Sequence, residues 1–463
     1  MLKRPAASSG QRAAARPADT WPPAIESGIL PVHRHALIPP PTPVGSPHFA
    51  YRDGILHAEG VSVAHLADRL GTPLYVYSRA ALHAAYDAYR RGIGSRDVLV
   101  CYGMKANSNL AVLREFARMG AGFDIVSAGE LQRVLAVGGD PGKVVFSGVG
   151  KQAAEMRLAL EAGVKCFNVE SVPELHRLSE VAHAMGKRAP VSLRVNPDVD
   201  PKTHPYISTG LKENKFGIAI DDAPAAYRTA AALPGVEIVG VDCHIGSQIT
   251  ETAPFLDALD KLLDLLDLLA TDGIHVEHLD LGGGLGIRYA DEIALAPADL
   301  LSRVFERIDA RGYGSRQIVL EPGRSLVGNA GLLVTRVEYL KPTEAKNFLI
   351  VDAAMNDLIR PTLYEAYHGV LAVAPRAGEA ASRYDVVGPV CESGDWLAKD
   401  RDLAVREGDY LAVESAGAYG MVMASNYNTR PRAAEVMVDG DRYHVVRTRE
   451  TVEQLLALES TLG

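Results

Sequence analysis

An α/β architecture, a (β/α)8 barrel of TIM type joined to a C-terminal β-rich domain, is the fold class this sequence predicts. Three observations point to it. Short apolar, β-branched runs alternate with stretches of helical periodicity from about residue 97 to residue 321. There are eight such runs, the number at which a parallel barrel closes. Beyond about residue 325 the rhythm changes to strands joined by short turns. A doubly wound open sheet is the competing arrangement, but it would carry G-x-G-x-x-G after its first strand, and none is there.

The strands are expected at 98–102, 122–126, 143–147, 165–169, 191–196, 238–244, 275–281 and 317–320. Each is a short run of mainly apolar residues, suited to a strand covered on both faces. Seven helices are expected between them, at 110–119, 128–137, 153–162, 172–185, 223–233, 255–269 and 297–311. The stretch 255–269 is the most apolar, but Asp257, Asp260, Lys261, Asp264 and Asp267 recur in it at helical spacing. That makes one polar stripe on an amphipathic helix, which argues for packing against a sheet. The later strands are read in "GLLVTRVEYLK", "NFLIVDA", "RYDVVGPV", "DYLAVESA" and "AAEVMVDGDRYHVVRTR". Two earlier segments, "FAYRDGILHAEG" and "PLYVYS", also read as strands and are expected to pair with them. The resulting division is a barrel at 79–325 and a β-rich domain from 48–78 with 326–463.

Residues 1–47 are rich in Ala, Pro and Arg and include "IPPPTPVGSP", the composition of a flexible extension. Four basic side chains and no acid in the first 18 residues are compatible with a transit peptide; an untargeted tail is the simpler reading.

A chain of 463 residues suits two domains better than one core. Its net charge of −9 disfavours nucleic acid and anionic membrane as partners, and no apolar run is long enough to span a bilayer. The cysteines at 101, 166, 243 and 391 form neither C-x-x-C nor zinc-ligand spacing. Reduced thiols, a cytoplasmic location and no metal site are therefore expected.

Catalytic groups of such barrels sit at the carboxyl ends of the strands. The reactive residues fall there: Lys105 after strand one, Asp124 near the end of strand two, His244 with Gly246-Ser247 at strand six. Gly282-Gly283-Gly284 follow strand seven, and Glu321-Pro322-Gly323-Arg324 follow strand eight. Singly, a strand-end lysine is usually solvated and a triple glycine is a tight turn; together at one rim they argue for a site. A desolvated lysine can shed its proton and attack an aldehyde. Glycine-rich loops at strands seven and eight expose N–H groups to a phosphate, with Ser247 and Arg324 as further donors. A carboxylate such as Glu321 can keep a pyridine nitrogen protonated, and a flat imidazole such as His244 can stack on a ring. That combination describes pyridoxal 5′-phosphate.

The motifs "YGMKANSN", "HIGSQI", "LDLGGGLGI", "EPGRSLV", "DAAMNDLIRPTLY", "VCESGDWLA" and "GAYGMVMASNYNTRPRAAEV" resemble, in order over about 48–463, the diaminopimelate decarboxylase family. That family belongs to the alanine racemase-like, fold-type III group of pyridoxal-phosphate enzymes. The resemblance implies that Lys105 bonds to the cofactor, with Asp124 beside it. His244 would lie against the ring, and Glu321 would pair with its nitrogen. Gly283, Gly284, Ser247, Pro322, Gly323, Arg324 and Tyr419 would surround the phosphate. Arg324, Arg360, Tyr364, Glu392 and Tyr419 would bind substrate, and Cys391 would donate a proton. It also implies a homodimer in which Cys391 and Glu392 reach the other subunit's Lys105. Arg360 and Tyr364 are spaced to share one helical face. "NYNTRPRAAEV" reads as a turn and strand only, and the valine in "FSGVGK" puts a cofactor role for that loop in doubt.

The implied reaction is decarboxylation of meso-2,6-diaminopimelate to L-lysine. Alternatives are a relative acting on ornithine, arginine or a carboxylated polyamine, a racemase on the same barrel, and an inactive regulatory homologue. The retained Lys105 and Cys391 weigh against the last, and the paired arginines against simple diamines.

Overall fold

In the computed structural model, residues 43, 46–200, 209–210 and 214–462 are described. The expected extension 1–47 thus lies almost wholly outside the described residues. Eight parallel strands form the barrel: Val98–Gly103, Gly122–Ile125, Val144–Phe146, Cys166–Val169, Ala189–Asn196, Val236–Asp242, His278–Asp280 and Gln317–Leu320. Closure is made where the last returns to the first, pairing Val319 with Leu99. A short strand, Ile218–Ala219, adds to the fifth.

The helices start where the sequence supplies a cap. Asn109, Ser127 and Ser171 accept backbone N–H bonds from Ala111, Glu130 and Glu174 at the starts of Leu110–Arg118, Ala128–Ala136 and Val172–Ala184. Each satisfies a donor that the first helical turn leaves unpaired. The acidic stripe of Ala253–Thr271 meets arginines of Pro297–Ala310 and the residue that follows it. Asp260 pairs with Arg307, and Asp264 and Asp267 with Arg311. The opposite face buries Leu259, Leu262, Leu263 and Leu266 against the barrel.

One element was not anticipated. Arg79–Ile93 is an eighth barrel helix, placed before the first strand rather than after the last. It packs beside Pro297–Ala310 and Arg324–Val327, and the hydroxyl of Tyr89 lies 2.8 Å from Ser325 Oγ. The helix covers the seam between strands eight and one, which no helix following strand eight is long enough to cover.

The barrel interior changes character along its axis. Cys101, Val145, Cys166 and Val319 form a small buried apolar cluster. Because strand side chains alternate, residues two further on share the inward face. Those residues are Gly103, Ser147, Asn168 and Glu321. An apolar plug therefore gives way to a polar layer at the carboxyl end.

In the second sheet, Leu74–Ser78 lies between two later strands. It runs antiparallel to Gly331–Pro342 and parallel to Ala434–Asp439. Asn347–Val351, Ser382–Val387 and Trp396–Leu403 extend it on one side, and Arg442–Arg447 on the other. Phe49–Arg52, Ile55–Ala58 and Val61–Ser62 form a separate three-stranded sheet rather than joining this one. No helix among the described residues is long and apolar enough to cross a membrane.

Candidate active site

Lys105 sits in a short 3-10 turn, Met104–Ala106, directly after the first barrel strand. Its Nζ donates to Asp124 Oδ2 at 2.8 Å, and the Asp124 side chain is fully buried. Loss of water lowers the basicity of Lys105, but the carboxylates of Asp124 and Glu321 outweigh that effect. The group stays an ammonium well above its ordinary range. A desolvated lysine can shed its proton, but here the neighbouring carboxylates oppose that loss.

A second lysine stands at the same rim. Lys151, in the loop "FSGVGK", donates to Gly148 O at 2.8 Å, Asn168 O at 2.7 Å and Glu174 Oε1 at 2.8 Å. All three of its N–H bonds are thus committed, and it is buried. The loop is a structural tie, and Lys105 is the lysine whose amine faces the site.

His244 follows strand six by two residues, since the strand ends at Asp242 rather than at 244. Its Nδ1 accepts the Gly283 N–H at 3.1 Å, which places the proton of the neutral ring on Nε2. Burial first, then Arg194 and Lys105, hold its pKa well below the ordinary value, so the ring stays uncharged. Gly283 is obligatory for a steric reason. A Cβ there would collide with the Glu321 carbonyl, and one on Gly284, at φ +109°, with the Gly246 carbonyl. The Glu321 N–H returns to Gly282 O at 2.7 Å, and the Gly103 N–H to Pro322 O at 3.0 Å. These bonds fix the loops after strands seven and eight beside Lys105. Tyr419, at φ +55°, is held against the same turn by its N–H to Ala106 O at 2.8 Å.

Beneath this rim lies a carboxylate layer that pattern reading missed. Asp242, Asp280 and Glu321 each bring an oxygen within 4.8 Å of the others, and all are buried. Asn168 Nδ2 donates to Glu321 Oε1 at 3.1 Å and to Ser147 Oγ at 3.2 Å. Burial and mutual repulsion raise Glu321 and Asp242 well above the usual carboxylate range. Burial raises Asp280 to about 6, against the pull of the Gly282 N–H. A signal existed: "GVD", "HLD" and "FNV" each put a polar residue inside an apolar strand.

The two arginines named from sequence also converge. Arg324 donates to Ser247 Oγ from Nη2 at 3.0 Å and to Tyr289 Oη from Nη1 at 2.7 Å. Its guanidinium lies 4.9 Å from the Tyr419 ring centre. Arg360 opens the short helix Arg360–Tyr364 and stands 4.7 Å over the Tyr289 ring. Tyr364 lies in the neighbourhood of both. Tyr289, which separates the two arginines, was not singled out from sequence.

Cys391 and Glu392 are not brought to this cluster. Both are exposed, and neither makes a hydrogen bond or ion pair to Lys105, His244, Glu321 or Arg324. Their loop is pinned from beneath. Asp395 accepts N–H bonds from Met355 at 2.6 Å and Val390 at 2.7 Å, and Asn428 Oδ1 accepts that of Cys391 at 2.9 Å. "NYNTRP" thus supports the loop, a role beyond the turn read from sequence.

Comparison with known proteins decides what the geometry serves. A family model, pyridoxal-dependent decarboxylase, pyridoxal binding domain, matches residues 79–328. Diaminopimelate decarboxylase of Pseudomonas aeruginosa is 64% identical over 89% of this chain and 99% of its own length. The chain belongs to the diaminopimelate decarboxylase family. The Vibrio cholerae diaminopimelate decarboxylase is 58% identical over 90% of this chain and 99% of its own. A solved diaminopimelate decarboxylase from M. jannaschii, in co-complex with L-lysine, superposes with TM-score 0.86 at 38% identity, covering 90% of this chain and 99% of that one.

As a diaminopimelate decarboxylase family member the protein is a carboxy-lyase whose cofactor is pyridoxal 5′-phosphate, and its residues fit that group. Asp124 Oδ1 and Asp242 Oδ1 are buried acceptors without a hydrogen-bond partner. Both carboxylates act on Glu321, and a protonated ring nitrogen there would complement this unpaired acceptor set. The glycine loops and Arg324 would offer donors and positive charge to a phosphate, and Lys105 would supply the amine for the aldehyde.

Proposed function

We infer that the protein converts meso-2,6-diaminopimelate to L-lysine and CO2, the closing reaction of a lysine-forming sequence, as a cytoplasmic homodimer. One observation carries the choice of substrate. Arg324 and Arg360 are buried side by side around Tyr289, and neither has a carboxylate partner among the described residues. The cofactor phosphate would complete Arg324, which leaves Arg360 as the buried cation that only a substrate anion can complete. A zwitterionic far end supplies that anion; ornithine does not.

When bound, the cofactor accepts the electron pair left behind as CO2 departs. The protein's residues set up that event. Lys105 would hold the aldehyde end of the cofactor at the rim, with Asp124 fixing its amine. Glu321, held by Asn168, would keep the ring nitrogen protonated. Neutral His244 would lie beside the ring without adding charge. Gly283, Gly284, Ser247, Pro322, Gly323, Arg324 and Tyr419 would enclose the phosphate. Arg360 and Tyr364, with Arg324, bind the far carboxylate, where two parallel N–H bonds match its geometry. Glu392 pairs with the far ammonium, and Cys391 returns a proton to the α-carbon. The domain division that serves this is 79–325 for the barrel, with 48–78 and 326–463 forming the β-rich part.

The direct test is stoichiometric CO2 and lysine from meso-diaminopimelate with purified protein and cofactor; absence of lysine refutes the assignment. Exposure of Cys391 and Glu392, with no bond to their own Lys105, supports sites shared between subunits. Mixing inactive Lys105→Ala and Cys391→Ala proteins then restores up to about a quarter of wild-type CO2 release. Half of the dimers are mixed, and each has one intact site. No recovery after subunit exchange would place both residues in one chain's site.

A further inference from the structure

We propose that His368 is a positioning residue for Arg360, aiming the guanidinium that reads the substrate's far carboxylate while leaving its charge free. The proposal rests on the reading that Arg360 binds that carboxylate.

His368 is fully buried. Its Nδ1 lies 2.7 Å from the carbonyl oxygen of Glu414, which can only accept, so the ring proton sits on Nδ1. Nε2 is then a lone-pair acceptor, and Arg360 Nη1 lies 2.8 Å from it. The ring edge meets Tyr289 at 5.3 Å between centres and 81° between planes. The same Tyr289 accepts from Arg324 and underlies Arg360. The imidazole and the phenol together fix both arginines in one rigid arrangement.

The chemistry of the acceptor matters. A carboxylate at 368 would hold Arg360 equally well, but it would neutralise it and compete with the substrate. Histidine would fail too if it could charge. Burial first, and then Arg360, depress its pKa to about 3, so it remains a neutral acceptor. Arg360 keeps an unspent charge in a buried position, where burial and the nearby Arg324 both disfavour the cation. An arriving carboxylate relieves that state.

Two variants separate aim from mere packing. Asparagine places its amide nitrogen near the Nδ1 position and can serve the Glu414 carbonyl, but cannot reach Arg360. Glutamine places an acceptor near Nε2. In holoenzyme, His368→Asn is expected to raise KM for meso-diaminopimelate about tenfold, the order of one hydrogen bond to a charged group. The value of kcat should stay within about threefold and cofactor absorbance should be unchanged. The inhibition constant of L-lysine, which retains the same carboxylate, should rise by the same factor. His368→Gln should return both constants to within about threefold of wild type. The proposal is overturned if His368→Asn leaves KM and the lysine constant unchanged, or if both variants lose cofactor and kcat together. If Arg360→Ala itself leaves KM unchanged, the substrate reading fails first, and the proposal with it.

Discussion

Borohydride reduction of Lys105→Ala protein is expected to yield no pyridoxyl-labelled peptide, and its CO2 release from meso-diaminopimelate should fall to background. The reason lies in the inventory of amines at the rim. Lys151 has all three N–H bonds satisfied by two carbonyls and Glu174. It cannot substitute without breaking a buried ion pair, at a cost of about 3–5 kcal/mol. Removing Lys105 also leaves Asp124 buried beside Glu321 with no cation between them. Lys105→Arg is the companion variant: it keeps a positive charge for Asp124, yet guanidinium does not form the covalent bond. Both should read as unlabelled, and Lys105→Arg should retain more thermal stability than Lys105→Ala. A pyridoxyl tag recovered on any other peptide would show that the attachment point is misassigned.

Arg360→Ala should lower kcat/KM for meso-diaminopimelate by on the order of 10²–10³, the factor that corresponds to losing a buried, paired charge. Cofactor absorbance should be unaffected, because Arg360 contacts Tyr289 and His368 rather than the Lys105–Asp124 pair. Steady-state kinetics on the cofactor-loaded variant measure this. A change of less than about threefold would remove Arg360 from the substrate site.

Much of this was legible in the sequence because each barrel strand is a local event. An apolar run such as Val98–Gly103 ends in residues that can only be explained by a rim, and Lys105, Glu321 and the triple glycine all fall there. The eighth helix was less visible: Arg79–Ile93 precedes the strand pattern, and its partners Pro297–Ala310 and Ser325 lie over two hundred residues away. The carboxylate layer was hidden for a different reason. Asp242 and Asp280 look like strand-end punctuation until register sets them side by side on neighbouring strands. Tyr289 and His368 carry no motif; only folding brings them between two arginines. The pull of carboxylates on Lys105 was not legible, because Asp124 and Glu321 arrive from other strands.

The placing of Leu74–Ser78 has a consequence for how the molecule is made. This strand leaves the ribosome before any of the barrel, yet its two neighbours in the sheet, Gly331–Pro342 and Ala434–Asp439, emerge after it. The barrel strands all emerge before either neighbour, and the edge that faces Ala434–Asp439 must wait until translation is nearly over. The loops that carry Cys391 and Tyr419 come from the same late-emerging region. The chain therefore completes its site only in the final stage of its birth.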